Sequence, residues 1–203
     1  FRHLGYFPTE SSGHNSEYNP WFRKRGDLIE KYCTHGTGWN PGEYAYILKE
    51  YLNREGTWEK EYNAWLEHGA VELERGKEYA SNILNAIFGD HTPYPFNANL
   101  RNHGYITNID EGACVEVPVL SDADGIHPLG RHTLPQHLDI LISNTAKIEE
   151  LAVRAAIEGD PRKVFQAILF DPLTASVCSM EEIHSMVQEM LTKNAPYLGY
   201  FQS

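Results

Sequence analysis

The sequence predicts a helix-rich α+β fold with a small mixed or antiparallel sheet. Residues 58–88 and 136–157 place apolar side chains three or four positions apart, which is the spacing of amphipathic helices. Residues 96–120 lose that spacing and end in the β-rich run 115–120. The sequence shows no repeat, low-complexity tract or linker, so we expect one α+β unit with helices beside two or three strands.

The N-terminal stretch, residues 5–20, predicts a shaped loop. It mixes two glycines and two prolines with tyrosine, glutamate, serine and histidine, and it has neither helical nor strand periodicity. Such a loop can present polar groups to a ligand, although an ordinary surface loop fits the composition equally well. Residues 32–42 predict another loop, and residues 43–51 predict a short helix.

Local signals mark several boundaries in the middle of the chain. Thr57 is placed to cap the helix that follows it, and Gly69 or Gly76 favours a break within residues 58–88. The Asn-His-Gly run at residues 102–104 suggests a turn between strands. Pro118 has no backbone N–H, so its strand segment is expected at a sheet edge or a strand end.

The C-terminal third predicts a helical scaffold. Gly159 fits the end of the helix that spans residues 136–157, and Asp160 followed by Pro161 fits the start of the next. Ser179 and Glu182 have the spacing of a capping box ahead of a third helix.

Charge and cysteine content exclude some functions. A net charge of −11 and a pI near 5.3 argue against a nucleic-acid or anionic-membrane partner. No apolar run approaches the roughly 20 residues of a membrane span, and no signal-peptide pattern or initiator methionine is present. We therefore expect a cytoplasmic protein that begins inside a longer parent. Its three distant cysteines are expected as free thiols, with Cys114 and Cys178 in the core.

The residues alone indicate no complete active site, because the sequence has no nucleotide-binding glycine motif, phosphate loop or nucleophile elbow. His132 and His137 are expected at the surface or at a helix start. Asp122, Asp124 and His127 are expected close together in a glycine-containing loop, which suits a cation or a sugar hydroxyl. A loop held by Asx turns accounts for the two aspartates at least as well.

Four blocks of this sequence, residues 5–20, 108–120, 124–128 and 170–175, resemble glycoside hydrolase family 4 in its α-galactosidase (melibiase) branch. They occur in the family's order. The resemblance implies that residues 1–203 form the C-terminal, substrate-binding domain, similar to that of lactate and malate dehydrogenases. It also implies that an N-terminal Rossmann domain, absent here, binds NAD, and that an upstream cysteine and histidine hold Mn²⁺. The chain alone is then expected to be inactive.

The family resemblance also implies a mechanism and a set of site residues. Hydride leaves C3 of the sugar for NAD, a base removes the acidified C2 proton, and the leaving group is eliminated before water adds. This scheme departs from the two-carboxylate glycosidases. The resemblance gives the base as Tyr6 and the sugar-binding residues as Glu10, Ser11, His14, Tyr18 and His127. A buried Tyr6 packed on Phe7, and a His127 without a role, are the structural alternatives.

Other substrates and one other class of function stay open. An α-galacturonidase or α-glucosidase of the same family is the alternative enzyme, whereas the acidic Glu10 and Glu17 argue against a 6-phosphoglycoside. A non-catalytic helical interaction domain would use Trp58, Tyr62 and Trp65 as its partner face. If the chain is half of a family 4 enzyme, we expect an exposed apolar patch where the Rossmann half docks, and self-association or poor solubility of the isolated chain. A monomer with a fully polar surface would favour the interaction domain instead. The resemblance also implies a homo-oligomer.

Overall fold

The computed structural model describes residues 1–8, 12–33, 45–69 and 76–201. The chain divides into two compact units, one formed by Phe1–Phe7 with Glu78–Ser203 and the other by Pro8–Lys77. The sequence, in contrast, predicts a single unit. Each unit is described by itself below.

Short helices make up the described part of the unit that spans residues 8–77. They are α1 (Ser12–Tyr18), α2 (Gly26–Cys33), α3 (Tyr46–Arg54) and α4 (Trp58–Glu67). The expected helix over residues 43–51 is present but lies further along the chain, as α3. Cys33 at the end of α2 is buried, whereas neither α3 nor α4 buries any residue.

Two expectations in this unit were wrong. Residues 12–18 form a helix rather than a loop, and polar contacts stabilise it in place of an apolar stripe. The Ser16 hydroxyl donates to the Gly13 carbonyl at 2.6 Å and accepts from Arg23 Nε at 2.9 Å. Thr57 does not cap α4, because its backbone is already helical and its hydroxyl donates to the Arg54 carbonyl at 2.9 Å.

A three-stranded antiparallel sheet lies in the other unit. Helix α5 (Ala80–Phe88) precedes β1 (Tyr94–Arg101), β2 (Cys114–Asp122) and β3 (Gly125–Pro128), and the sheet order is β1-β2-β3. Among the described residues, the stretch 58–88 therefore forms two helices, α4 and α5. The three-stranded sheet confirms the expected α+β class.

The core under the sheet follows the two-residue period of β2. Val115, Val117 and Val119 are buried, and they pack with Ile106 and Ile109 from the β1–β2 connection. The same alternation places Cys114 on the exposed side, so the expectation of a core cysteine there was wrong. Apolar neighbours in sequence point to the opposite face of a strand, which is why they mislead.

Pro118 lies inside β2, the central strand, and not at a strand end. Its carbonyl accepts a hydrogen bond from the Leu129 N–H at 2.8 Å, on the side of β2 that faces β3. The β2–β3 ladder runs only from Val119 to Asp122. The pairing with β3 therefore ends one residue past Pro118, which accepts the bond from Leu129 but has no N–H to return it.

Asn102 organises the connection between β1 and β2. Its side chain is fully buried, and its Nδ2 donates to the carbonyls of Ile106 at 3.0 Å and Ile109 at 2.9 Å. Its Oδ1 accepts from the Ile106 N–H at 3.1 Å. The suggested turn at residues 102–104 thus begins with a residue that closes a much longer connection.

Helices form the rest of this unit. They are α6 (Gln136–Glu158), α7 (Pro161–Phe170), α8 (Pro172–Val177) and α9 (Met180–Asn194). Helix α7 packs between α6 and α9, and Ile183 and Val187 of α9 are buried. In the part of the chain that the structure describes, no helix has the length and apolar character needed to cross a membrane.

The expected boundaries of these helices are confirmed. Gly159 adopts a left-handed φ of 65° after α6, and the Asp160 carboxylate accepts from the Arg162 N–H at the start of α7. Ser179 and Glu182 form both bonds of the capping box. Cys178, expected in the core, is only half-buried at the end of α8.

Candidate functional site

Tyr6 lies in the N-terminal segment that packs with the sheet-containing unit. A tight turn precedes it, in which the Gly5 N–H donates to the Phe1 carbonyl at 2.8 Å and Gly5 has a φ of 76°. The Tyr6 side chain is 52% exposed, so it is not the buried aromatic of the structural alternative. Its ring centroid lies 6.2 Å from that of His137, at the start of α6.

His14 and Tyr18 lie one turn apart on α1, in the other unit. Their rings stack with centroids 6.0 Å apart and an interplanar angle of 27°. Tyr18 is 58% exposed. Glu10 and Ser11, the other two residues expected to bind sugar in this stretch, lie outside the described residues. The helix thus presents an imidazole and a phenol side by side, an arrangement suited to hydrogen bonding with sugar hydroxyls.

His127 lies on β3 and contacts Asp122, the last residue of β2, across a hairpin, so the loop expected for these two residues was wrong. Its Nε2 is 3.0 Å from Asp122 Oδ1, and the same oxygen accepts from the Asp124 N–H at 2.8 Å. The hydrogen bond from the Asp124 N–H, followed by that from His127, holds the pKa of Asp122 below its ordinary value. The Asx turn that sequence offered as an alternative is therefore present, and it leaves His127 half-exposed.

The structure brings some of these residues together and leaves others apart. His14 contacts Tyr18, and Tyr6 approaches His137, whereas Tyr6 and His127 have no hydrogen bond or ring contact with each other among the described residues. Within the same described part, no group of three or more His, Cys, Asp or Glu side chains is arranged to hold a metal ion.

A cleft that the sequence did not predict lies between the β1–β2 connection and α6. It has a volume of about 290 Å³. Its charged lining residues are Arg101, Asp110, Glu111, Lys147, Glu150 and Arg154. Lys147 lies 3.6 Å from Asp110, and Arg154 lies 2.5 Å from Glu150, so the charges largely compensate one another. Lys147, Glu150 and Arg154 lie three and four positions apart on one face of α6, and this spacing is the feature of the sequence that indicates the cleft.

Most of this chain matches one protein family. Residues 1–174 match the model described as the family 4 glycosyl hydrolase C-terminal domain. The chain belongs to glycoside hydrolase family 4. The resemblance seen in the four sequence blocks is thereby confirmed.

Within family 4, α-galactosidases are among the similar proteins. The α-galactosidase of Rhizobium meliloti (strain 1021) is 35% identical over 98% of this chain and 41% of its own length. The α-galactosidase of Bacillus subtilis (strain 168) is 32% identical over 98% of this chain and 44% of its own length. The chain therefore spans less than half the length of these two relatives.

Solved structures of glycosidases share the fold of this chain. The structure of lplD from Bacillus subtilis has a TM-score of 0.62 and 22% identity, over 70% of this chain and 32% of that one. A 6-phospho-β-glucosidase from Thermotoga maritima, solved with manganese, NAD⁺ and glucose-6-phosphate, has a TM-score of 0.53 and 18% identity. That match covers 78% of this chain and 41% of the other. At these identities, the likeness supports the α+β architecture alone.

Proposed function

We propose that this chain is the sugar-site half of an NAD- and Mn²⁺-dependent α-galactosidase. The observation that carries the proposal is the alignment with two α-galactosidases over 98% of the chain. The parent protein would hydrolyse α-galactosides in the cytoplasm, where the three free cysteines would stay reduced. The chain by itself would lack the nucleotide-binding half and would be inactive.

No group of three or more His, Cys, Asp or Glu side chains among the described residues is arranged to hold Mn²⁺. In the parent, Mn²⁺ and NAD would be held by residues outside this chain. When bound, they would supply oxidation at C3 and stabilisation of the negative charge that follows.

In this proposal, the phenolate oxygen of Tyr6 accepts the C2 proton of the sugar and becomes a phenol. Its half-exposed side chain makes that oxygen available to a ligand. A base must come within hydrogen-bond reach of the proton that it removes, so the position of this ring relative to the sugar determines the rate. The proton leaves C2 as the bond from C1 to the leaving oxygen breaks.

The remaining residues would bind and orient the sugar. His14 and Tyr18 are stacked on α1, and their ring nitrogen and phenol groups would hydrogen-bond the sugar hydroxyls. His127 would contribute a further contact, because its bond to Asp122 fixes its ring while leaving it half-exposed. Glu10 and Ser11 are proposed sugar ligands on the strength of the family resemblance.

The test is the turnover of p-nitrophenyl α-galactoside by the full-length parent, supplied with NAD, Mn²⁺ and a thiol reductant. We expect Tyr6→Phe to abolish both hydrolysis and deuterium exchange at C2 while the sugar still binds. Tyr197→Phe is the matched control, because Tyr197 is 82% exposed and has no proposed role. Full exchange and turnover in Tyr6→Phe would reject the base, and hydrolysis without NAD would reject the mechanism.

Substrate choice within the family is tested by a panel of α-glycosides. An α-glucosidase of Erwinia rhapontici is 29% identical over 62% of this chain, and an α-galacturonidase of Thermoanaerobacterium saccharolyticum is 30% identical over 50%. Both matches cover much less of the chain than the α-galactosidases do. A higher kcat/KM on a glucoside or galacturonide than on a galactoside would replace the proposed substrate.

A second proposed role is a partner face on α4. Trp58, Tyr62 and Trp65 recur at the spacing of one helix face and are 61%, 53% and 57% exposed. This apolar stripe would bind the missing half of the parent or another copy of the chain. Light scattering of the chain would show self-association that decreases in a Trp58→Ser, Trp65→Ser variant. A monomer at all concentrations would exclude the homo-oligomer for the isolated chain.

A further inference from the structure

One hydrogen bond joins the two sequence segments that form the sheet-containing unit, residues 1–7 and 78–203. Nε2 of His137, in the first turn of α6, lies 2.8 Å from the carbonyl oxygen of Leu4. A carbonyl oxygen can only accept, so Nε2 must carry the hydrogen and donate it. Among the described residues, this is the sole hydrogen bond between residues 1–8 and the rest of the chain.

The bonded carbonyl lies close to Tyr6. Leu4 precedes Tyr6 by two residues, and the intervening Gly5 is held in the turn closed by the Phe1 carbonyl. The rings of Tyr6 and His137 approach to 6.2 Å between centroids, at an angle of 47°. His137 therefore restrains the backbone just before Tyr6 and also lies beside its ring.

The hydrogen bond from His137 to Leu4 neither caps α6 nor packs it against the core. The N-cap of α6 is Pro135, and the structure shows no side-chain capping bond there. His137 is exposed, so it does not fill the core. Its side chain donates away from the helix, to a residue 133 positions earlier in the chain.

We propose that His137 is a positioning residue for Tyr6, and this inference rests on the proposed role of Tyr6 as the base. His137 does not touch the sugar. It fixes the segment so that the phenolic oxygen points to one place relative to C2. Without it, the segment is attached to this unit by packing alone among the described residues, and the productive geometry is less populated. Displacement of a reacting group by about 1 Å can lower a rate about 100-fold.

Three variants of the full-length parent test the inference. His137→Ala removes the donor, and His137→Gln restores an amide N–H that can reach the same carbonyl. His132→Ala is the matched control, because His132 is another exposed histidine whose Nε2 lies 3.0 Å from a backbone carbonyl, that of Leu129. That bond holds no part of residues 1–8.

We expect kcat to fall about 10- to 100-fold in His137→Ala, with KM within about twofold of wild type. His137→Gln should recover most of the lost kcat, and His132→Ala should stay within about twofold. A defect that is only structural would lower the fraction of active enzyme and would not be reversed by the amide. Unchanged kcat in His137→Ala, or no recovery with glutamine, would overturn the inference.

Hydrogen–deuterium exchange in the same proteins separates this inference from the proposed function. The peptide that covers residues 1–7 should exchange faster in His137→Ala than in wild type, and His137→Gln should restore its protection. If Tyr6→Phe is inactive while His137→Ala is fully active, the positioning role fails and the base stands. If Tyr6→Phe keeps full turnover, Tyr6 is not the base. The positioning role of His137 is then rejected too, even if exchange shows that His137 protects residues 1–7.

Discussion

Asp122 and His127 face each other across the β2–β3 hairpin, with 3.0 Å between Oδ1 and Nε2. The same carboxylate oxygen also accepts the Asp124 N–H at 2.8 Å. One aspartate oxygen thus closes the turn and orients the imidazole of a residue proposed to bind sugar. Loss of this carboxylate would therefore disturb both the turn and the ring.

The first prediction concerns the pKa of Asp122, which these hydrogen bonds hold below the ordinary value of 3.8. A lowered pKa in the folded state means that the charged form favours folding. This contribution is complete above the unfolded pKa and is lost as the pH falls through the folded pKa. An NMR titration of the Asp122 side-chain carbon should show a midpoint below 3.8. In His127→Ala the midpoint should rise only partly, because the Asp124 N–H is the larger cause. A wild-type midpoint at the ordinary value would contradict the geometry.

The second prediction concerns Asn102, whose buried amide bonds to several backbone groups of the β1–β2 connection. Asn102→Ala leaves those buried groups without partners, and each such group costs about 1–3 kcal/mol. We expect the free energy of unfolding, measured in urea, to fall by about 3 kcal/mol. Asn99→Ala is the control on the exposed side of β1 and should change it by less than about 0.5 kcal/mol. Equal effects of the two substitutions would show that Asn102 does not organise the connection.

The third prediction concerns Gly159, at the end of α6. A Cβ there would lie 2.5 Å from the Tyr200 carbonyl oxygen, in addition to the strain of a φ of 65°. Gly130 has a φ of 77°, and a Cβ added there would meet no atom within 4 Å, so it isolates the strain alone. Gly130→Ala should lower stability by about 1–2 kcal/mol, and Gly159→Ala should lower it further. The clash is measured by how much more Gly159→Ala lowers the melting temperature than Gly130→Ala does. Equal decreases would show that the backbone near Tyr200 moves to accommodate the added Cβ.

Helix boundaries in the C-terminal third were predictable because their signals are local. Ser179 and Glu182 are three residues apart, and a capping box needs nothing beyond those residues and their own backbone. Gly159 is equally local, because the left-handed conformation that ends a helix is most accessible to glycine. The same reasoning failed at Thr57, whose hydroxyl bonds to the preceding helix and is not available for the next.

The candidate site was only partly predictable, because its contacts join distant parts of the chain. The closeness of His127 to Asp122 and Asp124 follows from their spacing, but the bond from His127 to Asp122 depends on the register of β2 and β3. The role of Asn102 was missed because its partners lie up to eight residues further along an irregular connection. The bond from His137 to Leu4 spans 133 positions and leaves no periodic trace in the sequence.

The place of Pro118 in β2 also bears on aggregation. Among the described residues, the part of β2 before Pro118 has no β3 partner, and a strand side without a partner can pair with a strand of another molecule. A proline in that row removes a donor and its ring obstructs an incoming strand. Pro118 would thus protect the chain from edge-to-edge association while it folds, a risk that grows at the concentrations reached during overexpression.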